Sequence, residues 1–553
     1  MNDYNMHRSH DTQTFDFVIV GAGAAGCILA ARLSEDPLVS VCVLEAGPGD
    51  LRPFVRIPAG FTKTLTQSAI TWQFKTEPTE NTGGRRISTT QGRVVGGSGS
   101  INGMIYVRGQ PADYDHWAHL GNRGWGYEDV LPYFMRTERR IGAGDDRVRG
   151  RNGPIPVTDM DWIHPLSEAF IDAAVKSGLP RNQDYNSGDQ EGVGYFQRTI
   201  DRGLRTNSAA GLLRPALRRG NLQLITDACA TAVIFEGKRA TGVCCSRRRA
   251  GNELRVLARR ELILSCGTIN TARLLQISGV GPGRLLNSLG VRIVHELAGV
   301  GENLMDHYSA RAVMKARSGT VTLNELSRGI RLMLQILRWA AKRPSILALT
   351  PSQVYLFCKS RQDLDLADLQ CVFTPGSYAE GRHYVLDDYP GVTGGAWQHR
   401  PLSRGYVRAK STDVYVDPVI QPNYLDHPLD QQVMVAGMKF VRTLLHSPAL
   451  SRYLAEETIP GPDVRTDEQW LEFCRHNGST GYHLVGTARM GPADDPLAVV
   501  DDQLRVHGLQ GLRIADASVM PMIPSANTYA ATMMIAEKAS DLIRGRNVRG
   551  STR

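Results

Sequence analysis

Long apolar runs are missing from the 553-residue sequence, which contains no stretch of 18 or more apolar residues. A helix needs about 20 such residues to cross a bilayer, so we expect no membrane-spanning segment. The N-terminal stretch is polar and has no apolar core ahead of a small-residue cleavage site, which argues against a secretory signal. We therefore expect a cytoplasmic protein, with peripheral attachment at the inner membrane left open.

Cysteine spacing typical of disulfide frameworks or metal sites is also missing. The nine cysteines are scattered, odd in number and without a C-x-x-C pair. This usage fits reduced thiols better than a secreted disulfide scaffold, and we predict no metal site.

A strong excess of one charge is missing as well, because 64 basic residues face 55 acidic ones and the formal net charge is only +9. Arginines cluster in SRRRA (246–250) and after Arg544, but no aromatic platform or recognition motif is interleaved with them, so we predict no nucleic-acid partner. The length exceeds the roughly 250–300 residues at which a single core stops growing, which predicts two or more domains.

A complete strand–helix–strand unit is present at residues 15–47, FDFVIVGAGAAGCILAARLSEDPLVSVCVLEAG. Apolar residues 17–20 predict a buried strand, an alanine-rich stretch predicts a helix to about Asp36, and residues 39–44 predict a second strand. A unit of about 30 residues in this order is typical of dinucleotide-binding folds.

Three glycines, Gly21, Gly23 and Gly26, form a G-x-G-x-x-G motif between the first strand and the helix. The first permits a tight turn, the second lets the backbone approach a pyrophosphate, and the third allows helix and strand to pack closely. The helix N-terminus offers N–H groups and partial positive charge to the phosphates. Glu45, at the end of the second strand, is placed to accept from ribose hydroxyls. We therefore predict a bound dinucleotide.

NAD and FAD both fit this unit, and three features favour FAD. The motif lies near the N-terminus, a second glycine-rich loop follows at 92–103, and short strands and turns at 221–266 predict an antiparallel meander. A flavin dinucleotide needs more backbone contact than one such unit supplies. In addition, a helix beginning near Asn527 would direct its positive end toward the flavin ring. An NAD-dependent dehydrogenase remains the alternative.

Several long motifs follow one another in a specific order: GRVVGGSGSINGMIYVRGQPADYD (92–115), GTINTARLLQISGVG (267–281), GVGENLMDH (299–307), RGYVRAKSTDVYVDPVIQPNYL (404–425) and GYHLVGTARMG (481–491). With them the chain resembles the glucose–methanol–choline (GMC) oxidoreductases, in particular choline dehydrogenase-like and alcohol dehydrogenase (acceptor) members. The resemblance runs from Phe15 to about Arg544. Ala272 departs from it, since a proline or serine is more common there.

The resemblance implies an α/β FAD-binding domain, Rossmann-like and of the glutathione-reductase type, with an inserted α+β substrate domain built on an antiparallel sheet. Mapped onto this sequence, the FAD-binding domain takes residues 14–158, 203–308 and 480–546, and the substrate domain takes 159–202 and 309–479. Residues 1–13 and 547–553 are expected to be flexible termini.

His483 lies between a tyrosine and two aliphatic residues, a context in which a histidine is most often a core residue. The resemblance implies a different role, because in the family a histidine in this H-x-x-G-T context faces the flavin and is partnered by a histidine or asparagine near the C-terminus. The partner position here is Asn527, whose context also suits a helix N-cap. We predict that both residues are catalytic.

The resemblance also implies which residues contact FAD, namely members of both glycine-rich loops, the meander and the closing strand and helix. Relatives that link FAD covalently use a histidine just before the asparagine of the SING loop, and Ile101 at that position predicts non-covalent FAD. The predicted cofactor-binding residues are Gly21, Gly23, Ala24, Ala25, Gly26, Glu45, Ala46, Arg93, Val95, Gly96, Gly97, Ser98, Asn102, Gly103, Met104, Ile105, Ala230, Cys266, Gly267, Asp516, Ala517, Asn527 and Thr528.

The implied function is oxidation of a primary alcohol to the aldehyde by hydride transfer to flavin N5. His483 would take the hydroxyl proton, since an imidazole with a pKa near 6.5 is suited to this near neutrality, and Asn527 would hold the same oxygen. The alternatives are an alcohol oxidase that uses O2, a non-redox or photochemical member of the fold such as a hydroxynitrile lyase or a fatty-acid photodecarboxylase, and a non-catalytic flavin-binding module.

Two further residues are expected to contact the substrate, Tyr482 and Gln353. Choline-oxidising relatives hold the trimethylammonium group with a glutamate, and the alignment places Gln353 there, which makes choline a poorer candidate than an aliphatic, aromatic or polymeric primary alcohol. The electron acceptor is a quinone or O2, and no oligomeric state is predicted.

The segment SRGIRLMLQILRWAAKRP (327–344) places apolar residues at helical spacing beside several basic ones. Such a helix either rests on an anionic membrane surface or packs as a cap over the substrate domain. The packed cap is the more common arrangement and is our expectation.

Overall fold

The computed structural model describes residues 11–246, 253–380 and 384–546 of the chain. Most of the predicted flexible termini, residues 1–10 and 547–553, and the arginines of the 246–250 cluster lie outside the described residues. Residues 11–13, which we placed in the flexible N-terminus, instead begin the first strand, because they pair with residues 254–256 of a later strand.

The strands of the described residues are, in chain order, β1 (Asp11–Val20), β2 (Val41–Leu44), β3 (Thr71–Trp72), β4 (Gln91–Gly92), β5 (Glu138–Ile141), β6 (Ile155–Thr158), β7 (Gly192–Tyr195), β8 (Ile200–Asp201), β9 (Leu204–Arg205), β10 (Leu222–Ile225), β11 (Cys229–Glu236), β12 (Arg239–Ser246), β13 (Glu253–Leu264), β14 (Val280–Gly281), β15 (His295–Glu296), β16 (Tyr308–Ala316), β17 (Val354–Cys358), β18 (Leu369–Thr374), β19 (Gly391–Gln398), β20 (Tyr406–Arg408), β21 (Val419–Gln421), β22 (Leu454–Ile459), β23 (Ser479–Thr480) and β24 (Leu512–Ile514).

The α-helices of the same residues are α1 (Ala24–Leu33), α2 (Pro53–Arg56), α3 (Phe61–Thr64), α4 (Pro111–His119), α5 (Tyr127–Thr137), α6 (Pro165–Lys176), α7 (Arg214–Ala216), α8 (Gly267–Ile277), α9 (Gly283–Ser288), α10 (Leu323–Leu326), α11 (Gly329–Ala340), α12 (Pro428–Leu445), α13 (Pro448–Ser451), α14 (Asp467–Asn477) and α15 (Tyr529–Arg544).

The first seven-stranded sheet is parallel at its centre, in the order β10-β2-β1-β13, and β24 pairs with the carboxyl end of β13. β13 is 12 residues long, so its amino-terminal half also pairs with β12, and β12 with β11, as an antiparallel meander. The predicted meander is therefore present in β11–β13, whereas β10 joins the parallel part. The buried strand residues are nearly all apolar, as expected for a sheet covered on both faces.

The second seven-stranded sheet is antiparallel throughout, in the order β22-β16-β19-β18-β17-β7, with β23 beside β16. α12 and α6 cover one face and form with it a second apolar core. The hairpin β20–β21 lies between strands of this sheet in the sequence, yet its buried residues Val407 and Ile420 belong to the first core.

α11 lies on the surface and has no buried residue, so the expected packed cap helix is wrong. Its spacing of apolar residues forms a helix as expected, but the apolar face points away from the protein. Among the described residues, none of the helices combines the length and apolar character needed to cross a bilayer.

Candidate active site

A cavity of about 1010 Å³ lies between the two sheets. On one side it meets the carboxyl ends of β1, β2, β13 and β24, where ligands bind in open α/β sheets. On the other side it meets alternate residues of β16, β18 and β19, which share one face of the second sheet. The volume is at the upper limit of the roughly 300–1,000 Å³ usual for pockets that hold drug-sized ligands.

The two glycine-rich loops pack against each other at one end of the cavity. The Gly96 N–H donates to the Ala22 carbonyl at 2.7 Å. A side chain on Gly97 would place its Cβ 2.8 Å from the Gly23 Cα, and one on Gly26 would place its Cβ 1.9 Å from the Gly21 oxygen. Glycine is therefore required for this close approach of backbone to backbone, whereas a Cβ on Gly23 meets only one atom, at 3.8 Å, on the cavity side.

Glu45 and Asp516 are the two carboxylates at this end of the cavity, and both are held by hydrogen bonds. Glu45 Oε2 accepts from the Ala22 N–H at 3.0 Å and Oε1 from the Gly47 N–H at 2.9 Å. Asp516 Oδ2 accepts from the Gly267 N–H at 2.9 Å. Burial raises the pKa of both carboxyls. Glu45 keeps further lone pairs to accept from the hydroxyls of a ribose.

The residues at this end fit a dinucleotide. α1, α8 and α15 all begin at the cavity. No N-cap side chain occupies the N-terminus of α1 or α15, so their first N–H groups are available to anionic groups, whereas the first N–H of α8, that of Gly267, donates to Asp516. The open position beside Gly23 lets a pyrophosphate approach the backbone. Near the start of α15, the buried Oδ1 of Asn527 has no hydrogen-bond partner in the described part of the chain.

Most of the predicted site residues are brought together here. Those that line the cavity are Gly21, Gly23, Ala24, Ala25, Glu45, Ala46, Gly97, Ser98, Asn102, Gly103, Met104, Ile105, Ala230, Cys266, Gly267, Tyr482, His483, Asp516, Ala517, Asn527 and Thr528. They come from segments far apart in the chain, and the parallel order of β2, β1, β13 and β24 places their ends side by side.

Four predicted cofactor residues do not line the cavity. Gly26 faces Gly21 inside the turn, so it permits α1 to pack on β1 rather than contacting a ligand. The Gly96 N–H donates to the Ala22 carbonyl, which holds Gly96 against the first loop. Val95 is buried in the core, and Arg93 lies over the Trp72 ring, 5.2 Å from its centroid. Trp72 itself lines the cavity and was not predicted.

Gln353, the predicted substrate residue, is also absent from the cavity lining. It is fully buried, and its Nε2 donates to the Thr350 carbonyl at 2.7 Å. Its predecessors Pro351 and Ser352 line the cavity instead. The choice between choline and other alcohols therefore does not depend on this residue.

His483 lies in a continuous chain of hydrogen bonds. Its Nε2 is 2.9 Å from Asn527 Nδ2, and its Nδ1 is 2.9 Å from Nδ1 of His307. On the far side, Nε2 of His307 is 2.8 Å from the backbone oxygen of His399. His307 was not predicted from the sequence, although it ends the motif GVGENLMDH.

The His399 carbonyl assigns the protons along this chain, because a carbonyl oxygen only accepts. Nε2 of His307 must carry a proton, which leaves its Nδ1 as an acceptor. Nδ1 of His483 must then donate, which leaves Nε2 of His483 with a free lone pair toward Asn527. The Asn527 amide is accordingly assigned with its NH2 group facing the imidazole.

Both imidazoles are held in the neutral form. Burial, and then the neighbouring His307, lower the pKa of His483 well below its ordinary value. Burial likewise lowers the pKa of His307 to about 4. A neutral imidazole with a lone pair at the cavity is able to accept a proton from a bound hydroxyl group.

Arg311 distinguishes the end of the cavity formed by the second sheet. It points from the same face of β16 as Ser309, which pairs with Trp397 on β19, and the Trp397 ring is 6.3 Å from that of His483. Arg311 follows Ser309 by two residues along β16, so it lies about 7 Å further than Ser309 from the His483 imidazole. Tyr378 and Tyr384 interact with its guanidinium, as do the carboxyls of Asp387 and Glu380, which do not line the described cavity. The acidic residues that do line it, Glu45 and Asp516, are at the opposite end.

Comparison with known proteins places this site in a family. Family models described as GMC oxidoreductase match residues 15–309 and 401–536. An alcohol dehydrogenase (acceptor) of Pseudomonas putida is 37% identical over 532 residues, covering 96% of this chain and 95% of that protein. An oxygen-dependent choline dehydrogenase of Photobacterium profundum is 37% identical over 535 residues, covering 96% of this chain and 93% of that protein.

Solved structures share the whole fold. Pyridoxine 4-oxidase from Mesorbium loti has a TM-score of 0.86 at 29% identity, covering 95% of this chain and 98% of that chain. An FAD-dependent oxidoreductase from Chaetomium thermophilum has a TM-score of 0.87 at 26% identity, covering 96% and 99%. The expected family and the choice of FAD over NAD are thus confirmed: this chain belongs to the GMC oxidoreductases and is an FAD-dependent oxidoreductase.

Proposed function

We propose that this protein oxidises a primary alcohol to the aldehyde, with His483 as the base and Asn527 as its hydrogen-bonding partner. The observation that carries the proposal is the unprotonated Nε2 of a neutral His483, which accepts from the Asn527 amide at 2.9 Å at the wall of the cavity. The names of the relatives, an alcohol dehydrogenase and a choline dehydrogenase, support the substrate class.

FAD, when bound, supplies the hydride acceptor. Around it, the chain's own residues would bind and orient the reactants. The N-termini of α1 and α8 and the loop at 97–104 would hold the cofactor, and the hydroxyl of the alcohol would replace Asn527 as the donor to His483 Nε2. Asn527 Nδ2 would then donate to the alcohol oxygen and fix its position, which matters because a misplacement of about 1 Å costs on the order of a hundredfold in rate.

His307 would act as a positioning residue rather than a catalytic one. It accepts the Nδ1 proton of His483, so it maintains the tautomer in which Nε2 is basic. When His483 gains the alcohol proton, the same hydrogen bond becomes charge-assisted and therefore stronger. The imidazole thus takes the proton without changing its orientation.

The cavity supports the proposed division into an FAD-binding and a substrate domain. The predicted FAD residues that line it belong to the predicted FAD-binding segments, and the second sheet provides Ser309, Arg311 and Trp397 from within the predicted substrate segment 309–479. We refine the proposal at one place, because β20 and β21 pack in the first core and so belong with the FAD-binding domain. FAD is proposed to be non-covalent, since the Ile101 side chain has no atom able to form a bond to it.

The test of the reaction is anaerobic mixing of the yellow holoenzyme with a panel of primary alcohols. Loss of flavin absorbance is expected with wild type, whereas His483→Ala should be slower by about 10²–10⁴-fold with the flavin still bound, because the general base is missing. Near-normal reduction in His483→Ala would contradict the assignment. Absence of reduction by every alcohol would favour non-redox chemistry such as a lyase, and reoxidation by O2 or a quinone analogue identifies the acceptor.

Arg311 predicts a preference for uncharged alcohols over choline. Its guanidinium disfavours a trimethylammonium group at the same end of the cavity, where the described lining offers no carboxylate. We expect 3,3-dimethylbutan-1-ol, the uncharged carbon analogue of choline, to have the higher kcat/KM. Arg311→Met should reduce the difference by raising kcat/KM for choline. Equal values for the two substrates in wild type would show that Arg311 does not select between them.

A further inference from the structure

The outward face of α11 consists of large apolar side chains. Ile330, Met333, Leu334 and Leu337 are 76%, 62%, 54% and 63% exposed, respectively. At 3.6 residues per turn these four fall within an arc of roughly 100°. Scattered exposed leucines are common on protein surfaces, but four large apolar side chains on one face of one helix form a continuous apolar surface that calls for a partner.

Basic residues flank this apolar face on one side. Arg331 and Arg338 lie next to the apolar arc on α11, Lys342 follows just after the helix, and the whole segment 327–344 contains five basic and no acidic residues. Arg331 pairs with Glu325 and Arg328 with Asp388, whereas Arg338 donates to the neutral carbonyl of Pro344 at 2.9 Å. The surface therefore combines apolar area with an excess of positive charge.

The inward face fixes the helix to the wall of the cavity. Trp339 donates from Nε1 to the Gly203 carbonyl at 2.8 Å and packs against the apolar cluster that contains Phe61 and Met104. Phe61 and Met104 also line the cavity. The exposed face is thus held in a defined orientation, a short distance from the site.

We infer that α11 docks this protein onto an anionic phospholipid bilayer, with its apolar face among the lipid headgroups and its basic flank against the phosphates. An amphipathic helix with a basic polar side is the structure that such surfaces bind. A second copy of this chain is a poorer occupant, because an antiparallel symmetric contact between two α11 helices would bring the two basic flanks together. An apolar alcohol dissolved in the bilayer would then lie next to the cavity wall, a consequence that rests on the proposed function.

The experiment is co-sedimentation of the intact holoenzyme with vesicles of phosphatidylcholine and phosphatidylglycerol, compared with vesicles of phosphatidylcholine alone. Wild type is expected to sediment with the anionic vesicles. Arg331→Gln with Arg338→Gln should lower the partition constant by roughly 30-fold, at about five-fold per basic side chain near the surface. Met333→Glu with Leu337→Glu should abolish binding, and both pairs of positions are exposed, so folding is preserved.

Matched controls carry the same chemical changes elsewhere. Leu38→Glu with Leu51→Glu alters two exposed leucines, 88% and 72% exposed, outside α11, and Arg123→Gln with Arg147→Gln removes two exposed arginines. Both controls should bind as wild type does. Binding does not require turnover, so failure of this inference leaves the proposed alcohol oxidation standing, and the reverse also holds.

Two results would overturn the inference. The first is no sedimentation with either vesicle, or sedimentation that Met333→Glu with Leu337→Glu does not change. The second is a dimer in solution without lipid that the same variant dissociates, which would identify a second copy as the occupant. A depth measurement gives an independent check, because the fluorescence of a Leu337→Trp variant should be quenched by brominated lipid.

Discussion

Asp306 connects the buried interior with His483, the proposed base. Its Oδ1 accepts from the backbone N–H of His483 at 2.7 Å, and its Oδ2 accepts from the hydroxyls of Tyr424 and Thr480, each at 2.5 Å. Burial raises the pKa of this carboxyl to about 6, although the hydrogen bonds oppose the shift. Asp306 is therefore ionised above about pH 6, and its negative charge is then available to stabilise a protonated His483.

The pH dependence of the reaction should report Asp306. Above the pKa of Asp306, its negative charge stabilises the imidazolium form of His483. Below that pKa the Asp306 carboxyl is protonated and neutral, so kcat/KM should fall as the pH decreases through about 6. His483 itself, whose pKa is lowered well below its ordinary value by burial, would titrate at a more acidic pH. Asp306→Asn should have a lower kcat/KM at pH 8 and lose this acid limb, as measured by flavin reduction against pH. An unchanged limb in the variant would assign it to another group.

The proposed catalytic pair was identified from the sequence, and the residues that contact it were not. His483 and Asn527 stand in local motifs that carry their own context. Asp306 and His307 reach the site only because β16 pairs with β23, with Tyr308 opposite Thr480, and this pairing joins residues about 170 positions apart. Nothing in either segment alone indicates that partner, so strand pairing of this kind is not accessible from one sequence.

At the scale of elements, the turn between β1 and α1 separates cofactor binding from folding. Gly23 borders the cavity, and a Cβ added there would have its nearest neighbour atom at 3.8 Å, whereas a Cβ on Gly26 would lie 1.9 Å from the Gly21 oxygen. The two glycines therefore have different requirements, one for the ligand and one for the packing of α1 on β1.

Substitution of the two glycines should give opposite outcomes. Gly23→Val is expected to fold and to be colourless, because its side chain occupies the approach of the pyrophosphate. Gly26→Ala should instead lose folded protein, because overpacking of this severity exceeds the usual cost of about 1–3 kcal/mol. Circular dichroism and the ratio of flavin to protein absorbance measure both effects. A yellow Gly23→Val protein would show that the cofactor lies elsewhere.

Element types were predicted well where a pattern was local, and poorly where packing decided the outcome. The βαβ unit and the meander follow from apolar spacing and turn residues. The association of β20–β21 with the first core and the outward orientation of α11 depend on which surface each apolar face meets. Amphipathic spacing predicts that a helix forms, but it does not say whether protein or another phase covers its apolar side.

At the scale of the whole molecule, the cavity lies at the interface between the two sheets. Both sheets contribute to its walls, and each has its own apolar core on the side away from it. A ligand that fills the cavity binds only the folded arrangement of both. The stability of the molecule is therefore expected to depend on FAD.

Removal and return of FAD test this dependence and the non-covalent binding together. Acid precipitation should release the yellow colour into the supernatant, and colour kept in the pellet would indicate a covalent bond. Apoprotein prepared under milder conditions should unfold at a lower temperature, and free FAD at about 100 times its Kd should restore about 2.7 kcal/mol of stability. Thermal scans at several FAD concentrations measure the effect, and scans that coincide with and without FAD would contradict it.

The position of β24 has a consequence for synthesis on the ribosome. β24 pairs with Leu262–Leu264 of β13, although some 250 residues separate the two strands in the chain. Segments nearer the N-terminus emerge and begin to fold first, so this edge of the nascent sheet stays open until Leu512–Ile514 have been synthesised. The glycine-rich loops proposed to hold the nucleotide are synthesised early, whereas the proposed base His483 and its partner Asn527 follow several hundred residues later. A prematurely terminated polypeptide is therefore chemically inert.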